Sequence, residues 1–133
     1  MTPRVLVTET LAPSGLELLR KACDVTVRLN PSPDELLQII GDYQGLIVRS
    51  STQVTEAVLA AGSQLAVVGR AGTGVDNIDL EAATRHGIIV VNAPTGNTVA
   101  VAEHTLALML ALARHVCEAN VGMHAGRWDK KHL

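Results

Sequence analysis

Short apolar runs alternate with amphipathic stretches along the first two-thirds of the chain. The apolar runs cover residues 4–8, 25–29, 45–48, 65–68 and 88–91. The later runs show no polar alternation, which is typical of strands buried on both faces of a parallel sheet. Helical patterns lie between them, at residues 14–22, 32–40, 55–61 and 79–86. This order predicts an α/β fold of five βα units, a doubly wound five-stranded parallel sheet, and we take the strand order to be flavodoxin-like.

Several predicted helix ends carry their own signals. Ser32-Pro33-Asp34-Glu35 is a capping box with proline at the first helical position. Gly62 and Gly87 follow two of the helical patterns, and glycine is the residue that most often ends a helix. The regular spacing of the strand ends also fits a solenoid, but the leucine-rich repeat with its fixed Asn is absent. We therefore prefer the layered sheet.

The last third of the chain has a different pattern. From Thr98 to about Gly122 it predicts one long helix, or two in tandem, apolar on nearly every side. We expect a second domain or a second subunit to cover such a helix. Residues 126–133 carry no stop signal, and we interpret this end as a chain cut between elements.

Composition narrows the class of protein. The 133 residues are 47% hydrophobic and 18% charged, which excludes a disordered chain, and the net charge is -2. This charge, with 2% aromatic residues, argues against a nucleic-acid partner. The two cysteines indicate reduced thiols rather than a disulfide framework. The N-terminus lacks the pattern of a signal peptide and the apolar segment 106–113 is short, so we expect a cytoplasmic protein that does not contact a membrane.

Candidate chemistry lies where the predicted strands end. Arg49 and Arg70 follow two sequential strands, and a guanidinium binds carboxylates or phosphates through paired hydrogen bonds. Gly72 and Gly74 leave backbone N–H groups unobstructed, and Asn97-Thr98 lies at the start of the long helix. Together these features predict a pocket for a small anion. The alternative is a pair of surface arginines that have their own carboxylate partners.

Other motifs are incomplete. The loop that begins at Gly72 is not a dinucleotide-binding fingerprint, because Asn77 occupies its third glycine position. The five histidines lack metal-ligand spacing, so we expect no metal site. His104 is interpreted as a packed helix residue rather than an acid or base. No nucleophile elbow and no phosphate-binding Gly-Lys-Ser/Thr loop is present.

The longer motifs carry a resemblance to a known family. Residues 68–79, followed by Ala82-Ala83, Gly87-Ile88, residues 91–94, Gly96-Asn97 and residues 102–105, resemble the D-isomer-specific 2-hydroxyacid dehydrogenases. The similarity runs from Val5 to the last residue. Within the family, the pieces 46–50 and 69–74 look like the member that acts on a phosphorylated three-carbon hydroxy acid.

The resemblance implies roles for particular residues. Arg49, Ser50, Arg70, Gly72 and Asn97 would bind the substrate, and Thr73 would contact the nicotinamide end of NAD. Residues 1–97 would form the substrate-binding domain. Residues 98–133 would form the crossover helix and the start of the cofactor domain, with the helix also at a dimer interface. The cofactor loop and the catalytic Arg, Glu and His of the family would lie downstream, so this chain would contain no catalytic residue, would hold NAD mainly through the missing domain, and would be inactive by itself.

The expected function is therefore the substrate side of an NAD-dependent oxidoreductase that is a homo-oligomer and binds a small phosphorylated hydroxy acid. A first alternative is another member of the same family, acting on glyoxylate, hydroxypyruvate or lactate. A second is a flavodoxin-like signalling receiver, which fits Glu9 after strand one but not Arg49 after strand three. A third is a non-catalytic dimerisation module built on residues 106–116.

Overall fold

The computed structural model of the chain describes residues 2–128 and 130. The chain divides into two compact units, residues 1–96 and residues 97–133. The predicted boundary, between residues 97 and 98, lies one residue further along. The assignment of the two parts to substrate and cofactor binding stays a prediction.

The first unit is built on a five-stranded parallel sheet with the order β2-β1-β3-β4-β5. The strands are β1 (Arg4–Val7), β2 (Asp24–Val27), β3 (Gly45–Val48), β4 (Val67–Arg70) and β5 (Ile89–Asn92). This is the flavodoxin-like order, so the fold prediction is confirmed. The order reverses between β1 and β3, and in open α/β sheets ligands bind beyond the carboxyl ends of the strands at such a switch point.

Only β3 has the predicted bounds; β1 and β5 differ by one residue, and the larger differences are at β2 and β4. β2 ends at Val27 instead of Leu29. β4 begins at Val67 instead of Leu65, because the Leu65 N–H turns back to donate to the Gly62 carbonyl while its side chain enters the core. An apolar run alone does not distinguish a core-facing turn residue from a strand residue. β4 also ends two residues later than predicted, at Arg70, which pairs in register with Val48 and Asn92.

Helices flank the sheet. They are α1 (Pro13–Arg20), α2 (Pro33–Ile39), α3 (Glu56–Ala61) and α4 (Leu80–Arg85), with a 3-10 turn at Ile40–Asp42. Ser32 Oγ accepts a hydrogen bond from the Glu35 N–H at 3.2 Å, which confirms the predicted cap. Asp79 Oδ1 caps α4 in the same way by accepting from the Ala82 N–H. Thr55 occupies the cap position of α3 but makes no side-chain cap bond.

The main core lies on one face of the sheet. Strand residues Leu6, Leu46, Val48 and Val68 are fully buried there. The helices and their connections supply the opposite side of this cluster: Leu36, Ile40, Val54, Val58, Leu59, Ile78, Ala82 and Ala83. Because the strands end against this packed layer, the loops that follow β1, β3 and β4 start from rigid positions.

The second unit consists of α5 (Thr98–Ala113) and α6 (Val116–His124). The chain is interrupted at His115, which has a left-handed φ of 51°, so the tandem alternative is the correct one. No residue of α5 is buried within this chain. The expected cover from a second domain or subunit stays a prediction.

Within the described residues, neither α5 nor α6 alone is long and apolar enough to cross a bilayer. The two together would pass by length and composition, but they are bent by 64° at the break between them.

The two glycines Gly87 and Gly15 allow a matched test of backbone strain. A Cβ at either position would meet no atom within 4 Å, but only Gly87 has a positive φ, of 69°. We expect Gly87→Ala to lower the free energy of unfolding by ~1 kcal/mol because alanine is strained in that region. Gly15→Ala, within α1, should raise it by ~0.5 kcal/mol or more. Urea denaturation measures both, and equal effects would contradict the argument.

Candidate anion-binding site

Three loops meet at the switch point of the sheet. Glu9 follows β1, the segment Arg49–Thr52 follows β3, and residues 71–79 follow β4. We call the last two the β3 loop (residues 49–52) and the β4 loop (residues 71–79). Because the strands are parallel neighbours, their carboxyl ends place these loops at one edge of the sheet.

Glu9 is a buried carboxylate that accepts hydrogen bonds from backbone N–H groups of the β3 loop. Its Oε1 accepts from the N–H of Arg49 at 2.8 Å and of Thr52 at 3.0 Å. Ser51 donates its N–H to both carboxylate oxygens at 3.2 Å. Only 7% of the Glu9 surface is exposed, so these bonds replace water almost entirely.

The pKa of Glu9 reflects this surrounding. Burial raises the pKa, but hydrogen bonds from the backbone of Thr52, Arg49 and Ser51 lower it more, and the pKa falls from 4.5 to about 2. Glu9 is therefore ionised at neutral pH. It supplies a fixed negative charge beneath the loop that carries Arg49.

Asn77 holds the same loop through its carbonyl groups. Its Nδ2 donates to the Arg49 carbonyl at 2.9 Å and to the Thr52 carbonyl at 2.6 Å. Thr52 is held a third time, because its hydroxyl shares a 2.9 Å hydrogen bond with that of the fully buried Thr8. Backbone N–H groups and backbone carbonyl groups of the β3 loop are thus both held by hydrogen bonds with buried side chains.

Backbone pairing extends this link between the loops. Val54, just beyond the β3 loop, pairs with Ile78 in an isolated parallel bridge. The Val54 N–H donates to the Asn77 carbonyl at 2.8 Å, and the Asp79 N–H donates to the Val54 carbonyl at 3.0 Å. The β3 and β4 loops consequently form one connected surface.

The predicted binding residues Arg49 and Ser50 are exposed at the tip of the β3 loop. Among the described residues Arg49 forms no ion pair, and its Nη1 lies at 3.5 Å from the Thr10 carbonyl, a long contact. The surface-pair alternative is therefore wrong for Arg49. Its guanidinium is available to an anion from solution.

Arg70 is in a different state. Its side chain is only 10% exposed, and its Nη1 forms an ion pair at 2.5 Å with Oδ1 of the exposed Asp76. This pairing lowers the pKa of Asp76, mainly through the hydrogen bond from Arg70. The two arginines lie on neighbouring strands, as expected, but Arg70 already has a carboxylate partner inside the β4 loop.

One of the two glycines in the β4 loop leaves space for the Arg70 side chain. A Cβ on Gly74 would lie 2.8 Å from Arg70 Nη1, whereas one on Gly72 would lie 3.6 Å from Arg70 Nε, an ordinary contact. The absence of a side chain at Gly74 is therefore what allows the guanidinium to fold over the loop. This steric role is a second reason for glycine here, beside the unobstructed N–H groups expected from sequence.

The remaining predicted residues are placed as follows. The Gly72 N–H, expected to hold a carboxylate, donates to the Arg70 carbonyl at 2.9 Å. Thr73 is exposed, and its carbonyl accepts from Asn92 Nδ2 at 2.7 Å. Asn97 opens the second unit as the cap residue of α5, without a side-chain cap bond. Their roles toward substrate and cofactor stay predictions.

The described residues do not form a pyrophosphate cradle for NAD. A dinucleotide loop leads from its glycines directly into a helix whose N-terminus faces the phosphates. Here α4 begins at Leu80, several residues after Gly74, and Arg70 and Asp76 fill the space above that glycine. This agrees with the incomplete fingerprint in the sequence.

An open groove of about 390 Å³ adjoins Arg70 at the same sheet edge. It lies between the start of α1, at Leu11 and Ala12, and the ends of β4 and β5, at Arg70 and Asn92. Its lining is mainly apolar, with the side chains of Arg70 and Asn92 as its polar groups. A ligand that reaches the arginines has space here for its uncharged part.

The sequence did not indicate Asn77, Thr8 or Asp76 as parts of this site. It drew attention to Glu9 only as a residue that would fit a signalling receiver. The available signal was an acidic residue directly after a buried strand, together with an Asn at the end of the β4 loop. Neither residue type reveals its partners from sequence, because the partners are backbone groups 25 to 43 positions away.

Comparison with known proteins decides the family. Residues 5–125 match the catalytic domain of the D-isomer specific 2-hydroxyacid dehydrogenases. The chain belongs to this family. The resemblance drawn from the motifs is therefore confirmed, and the receiver interpretation is wrong.

Curated relatives of this chain include D-3-phosphoglycerate dehydrogenases. The enzyme of Synechocystis sp. is 48% identical over 96% of this chain, and the chloroplastic enzyme 2 of Arabidopsis thaliana is 51% identical over 96%. The human enzyme is 46% identical over the same share. The chain spans between 21% and 24% of the length of these three relatives.

Solved structures support the fold of the dehydrogenase chain. A Pyrococcus horikoshii protein superposes with a TM-score of 0.86 at 38% identity, covering 97% of this chain and 39% of its own. The NAD+-bound 3-phosphoglycerate dehydrogenase of Entamoeba histolytica gives a TM-score of 0.72 at 28% identity, covering 84% and 39%. The described residues thus match part of the larger fold of each of these solved structures.

The low pKa of Glu9 predicts a specific acid sensitivity. A carboxyl whose pKa is lower in the folded protein stabilises the fold fully above its unfolded value of 4.5 and loses that effect as the pH falls toward about 2. The full contribution is about 3 kcal/mol. Glu9→Gln should therefore be less stable near pH 7, and its stability should change less between pH 5 and pH 3 than that of the parent.

Urea denaturation at a series of pH values measures this effect. Glu17→Gln removes the same charge from an exposed position on α1 and serves as the control. Parallel pH profiles of the parent and Glu9→Gln would show that Glu9 has an ordinary pKa and would contradict the hydrogen-bonding argument.

The contact at Gly74 predicts a local effect with little loss of stability. Gly74→Ala should displace the Arg70 guanidinium from Asp76, because the end of that flexible side chain is the group that must move. Gly72→Ala, with an ordinary contact, should leave the pair intact. The Arg70 side-chain N–H resonances in NMR spectra report the change, and an unchanged Arg70 signal in Gly74→Ala would argue against the steric role.

Proposed function

We propose that this chain is the substrate-binding part of an NAD-dependent dehydrogenase that oxidises 3-phospho-D-glycerate to 3-phosphohydroxypyruvate, the first step of serine biosynthesis. The observation that carries the proposal is the exposed Arg49 guanidinium at the switch point, without an acidic partner among the described residues and beside Ser50. The D-3-phosphoglycerate dehydrogenases among its relatives support the choice of substrate.

Arg49 provides the first contact with an acidic group of the substrate. Its guanidinium can donate two parallel hydrogen bonds to a carboxylate or phosphate, and Ser50 can add a hydroxyl donor. Ionised Glu9 lies below the same loop, but its oxygens are occupied by backbone N–H groups. The exposed surface of the loop therefore remains cationic.

Arg70 would contribute a second positive charge after exchanging partners. Asp76 is 84% exposed, so water can replace its contact with Arg70 at small cost when a substrate anion takes its place. Two cationic groups suit a ligand with two acidic ends. This favours a phosphorylated acid over lactate.

The remainder of the catalytic apparatus belongs to the proposed longer enzyme. NAD accepts a hydride when bound, and the family's cofactor loop and catalytic Arg, Glu and His would lie downstream of this stretch. The residues described here would bind and orient the hydroxy acid, with Gly72 and Asn97 near it and Thr73 beside the nicotinamide. We propose a cytoplasmic homo-oligomeric enzyme, with neither nucleic acid nor membrane as partner, and this chain alone should be inactive.

A second candidate is the substrate domain of another family member, such as a glyoxylate or hydroxypyruvate reductase. The ion pair between Arg70 and Asp76 favours it, since a substrate with one acidic group needs only Arg49. Competition between 3-phosphoglycerate and glycerate separates the two. The main proposal expects the phosphorylated acid to displace glycerate, and equal affinities would favour the second candidate.

Replacement of Arg49 tests the binding role directly. Arg49→Ala should weaken binding of 3-phospho-D-glycerate by ~1.5 kcal/mol, the lower end of the 1.5–3 kcal/mol range for a charge-assisted hydrogen bond, because the guanidinium is exposed. This corresponds to an increase of about tenfold in Kd. Titration followed by backbone amide shifts gives both the affinity and the location.

Arg20→Ala is the matched control, because Arg20 is an exposed arginine in the last turn of α1, far along the helix from the strand ends. Its Kd should equal that of the parent. Shift changes away from the β3 and β4 loops, or an unchanged Kd in Arg49→Ala, would remove Arg49 from the site.

A further inference from the structure

The described part of the chain buries three polar side chains, and all three form hydrogen bonds with the β3 loop. They are Thr8, Glu9 and Asn77, each exposed by 7% or less. Thr8 bonds the hydroxyl of Thr52, Glu9 accepts from three N–H groups, and Asn77 donates to two carbonyls of the β3 loop. Buried polar groups are costly, so their concentration on one short loop calls for a reason.

We propose that Glu9 and Asn77 are positioning residues that hold the β3 loop in the conformation in which Arg49 and Ser50 bind the anionic substrate. The inference rests on the proposed function, because it assumes that this loop is the binding surface. It adds two residues that touch no substrate themselves and that act through the backbone of Arg49.

The geometry defines how the two residues act together. Glu9 fixes the N–H side of Arg49, and Asn77 fixes its carbonyl side, so both peptide planes that flank the Arg49 side chain are constrained. Thr52 is held at its N–H and its carbonyl by the same pair. A loop held at Arg49 and Thr52 exposes Ser50 and the Arg49 side chain in a defined direction.

A purely structural explanation fits the details less well. Asn77 Oδ1 is buried and has no hydrogen-bond partner among the described residues, so the amide satisfies the loop at the expense of its own acceptor. Local conflicts of this kind are typical of functional sites. The hydrogen bonds of Glu9 and Asn77 also lie at the switch point between β1 and β3, where ligands bind in open α/β sheets.

A double-mutant cycle separates positioning from general stability. The probe is 3-phospho-D-glycerate, and its Kd is measured by amide-shift titration for the parent, Glu9→Gln, Arg49→Ala and the double variant. If Glu9 acts through Arg49, Glu9→Gln should raise the Kd by about tenfold in the parent background. In the Arg49→Ala background it should change the Kd by less than about twofold.

A second variant covers the case in which Glu9→Gln does not fold. Glu9→Asp keeps the charge, but its side chain is one methylene shorter and cannot reach all three N–H groups, so we expect a smaller loss that again disappears without Arg49. Glu17→Gln is the charge-matched control and should leave the Kd unchanged. Amide hydrogen exchange of Ser51 and Thr52 should become faster in both Glu9 variants.

The outcomes are distinguishable. The positioning role would be overturned if Glu9→Gln raised the Kd by the same factor in the parent and in Arg49→Ala, or if the exchange rates of Ser51 and Thr52 did not change. Either result would leave the proposed function intact. Failure of the parent chain to bind 3-phospho-D-glycerate, with shifts from glycerate and inorganic phosphate also absent from the β3 loop, would overturn the proposed function and the positioning role with it.

Discussion

The carboxylate of Glu9 organises the functional edge of this protein. A buried negative charge requires donors, and here the donors are consecutive backbone N–H groups of the loop that follows β3. Because those bonds favour the ionised form, the group remains charged although it is buried, with a pKa of about 2. One internal anion thereby shapes the loop whose outer surface carries the cationic Arg49.

In this arrangement the Glu9 carboxylate and the Arg49 guanidinium do not pair with each other. Glu9 directs its oxygens at the backbone, which leaves the Arg49 side chain without an acidic partner among the described residues. In the β4 loop, by contrast, the exposed carboxylate of Asp76 pairs with the guanidinium of Arg70, the last residue of the neighbouring strand. The two arginines thus begin from unequal states, one available and one occupied. Under the proposed function, a substrate with two acidic groups would contact both arginines.

The family relationship and the hydrogen bonds at this sheet edge explain different properties of the chain. Membership in the D-isomer specific 2-hydroxyacid dehydrogenases accounts for the fold. It does not account for why Glu9, Thr8 and Asn77 are the buried polar side chains of the described residues. Their hydrogen bonds do, because each of the three side chains bonds to the loop that carries the exposed arginine.

The sequence by itself determined the class of fold, five parallel strands with intervening helices, because the run length and apolar content of buried strands are local properties. It also determined the cap at Ser32 and the presence of Arg49 and Arg70 at strand ends, since a cap and a strand end are each read within a few residues. Only the tertiary structure decided the start of β4, the pairing of Arg70 with Asp76, and the hydrogen bonds that hold the β3 loop. Those features depend on which distant backbone groups and side chains the folded sheet brings together, and no local pattern in the chain records that proximity.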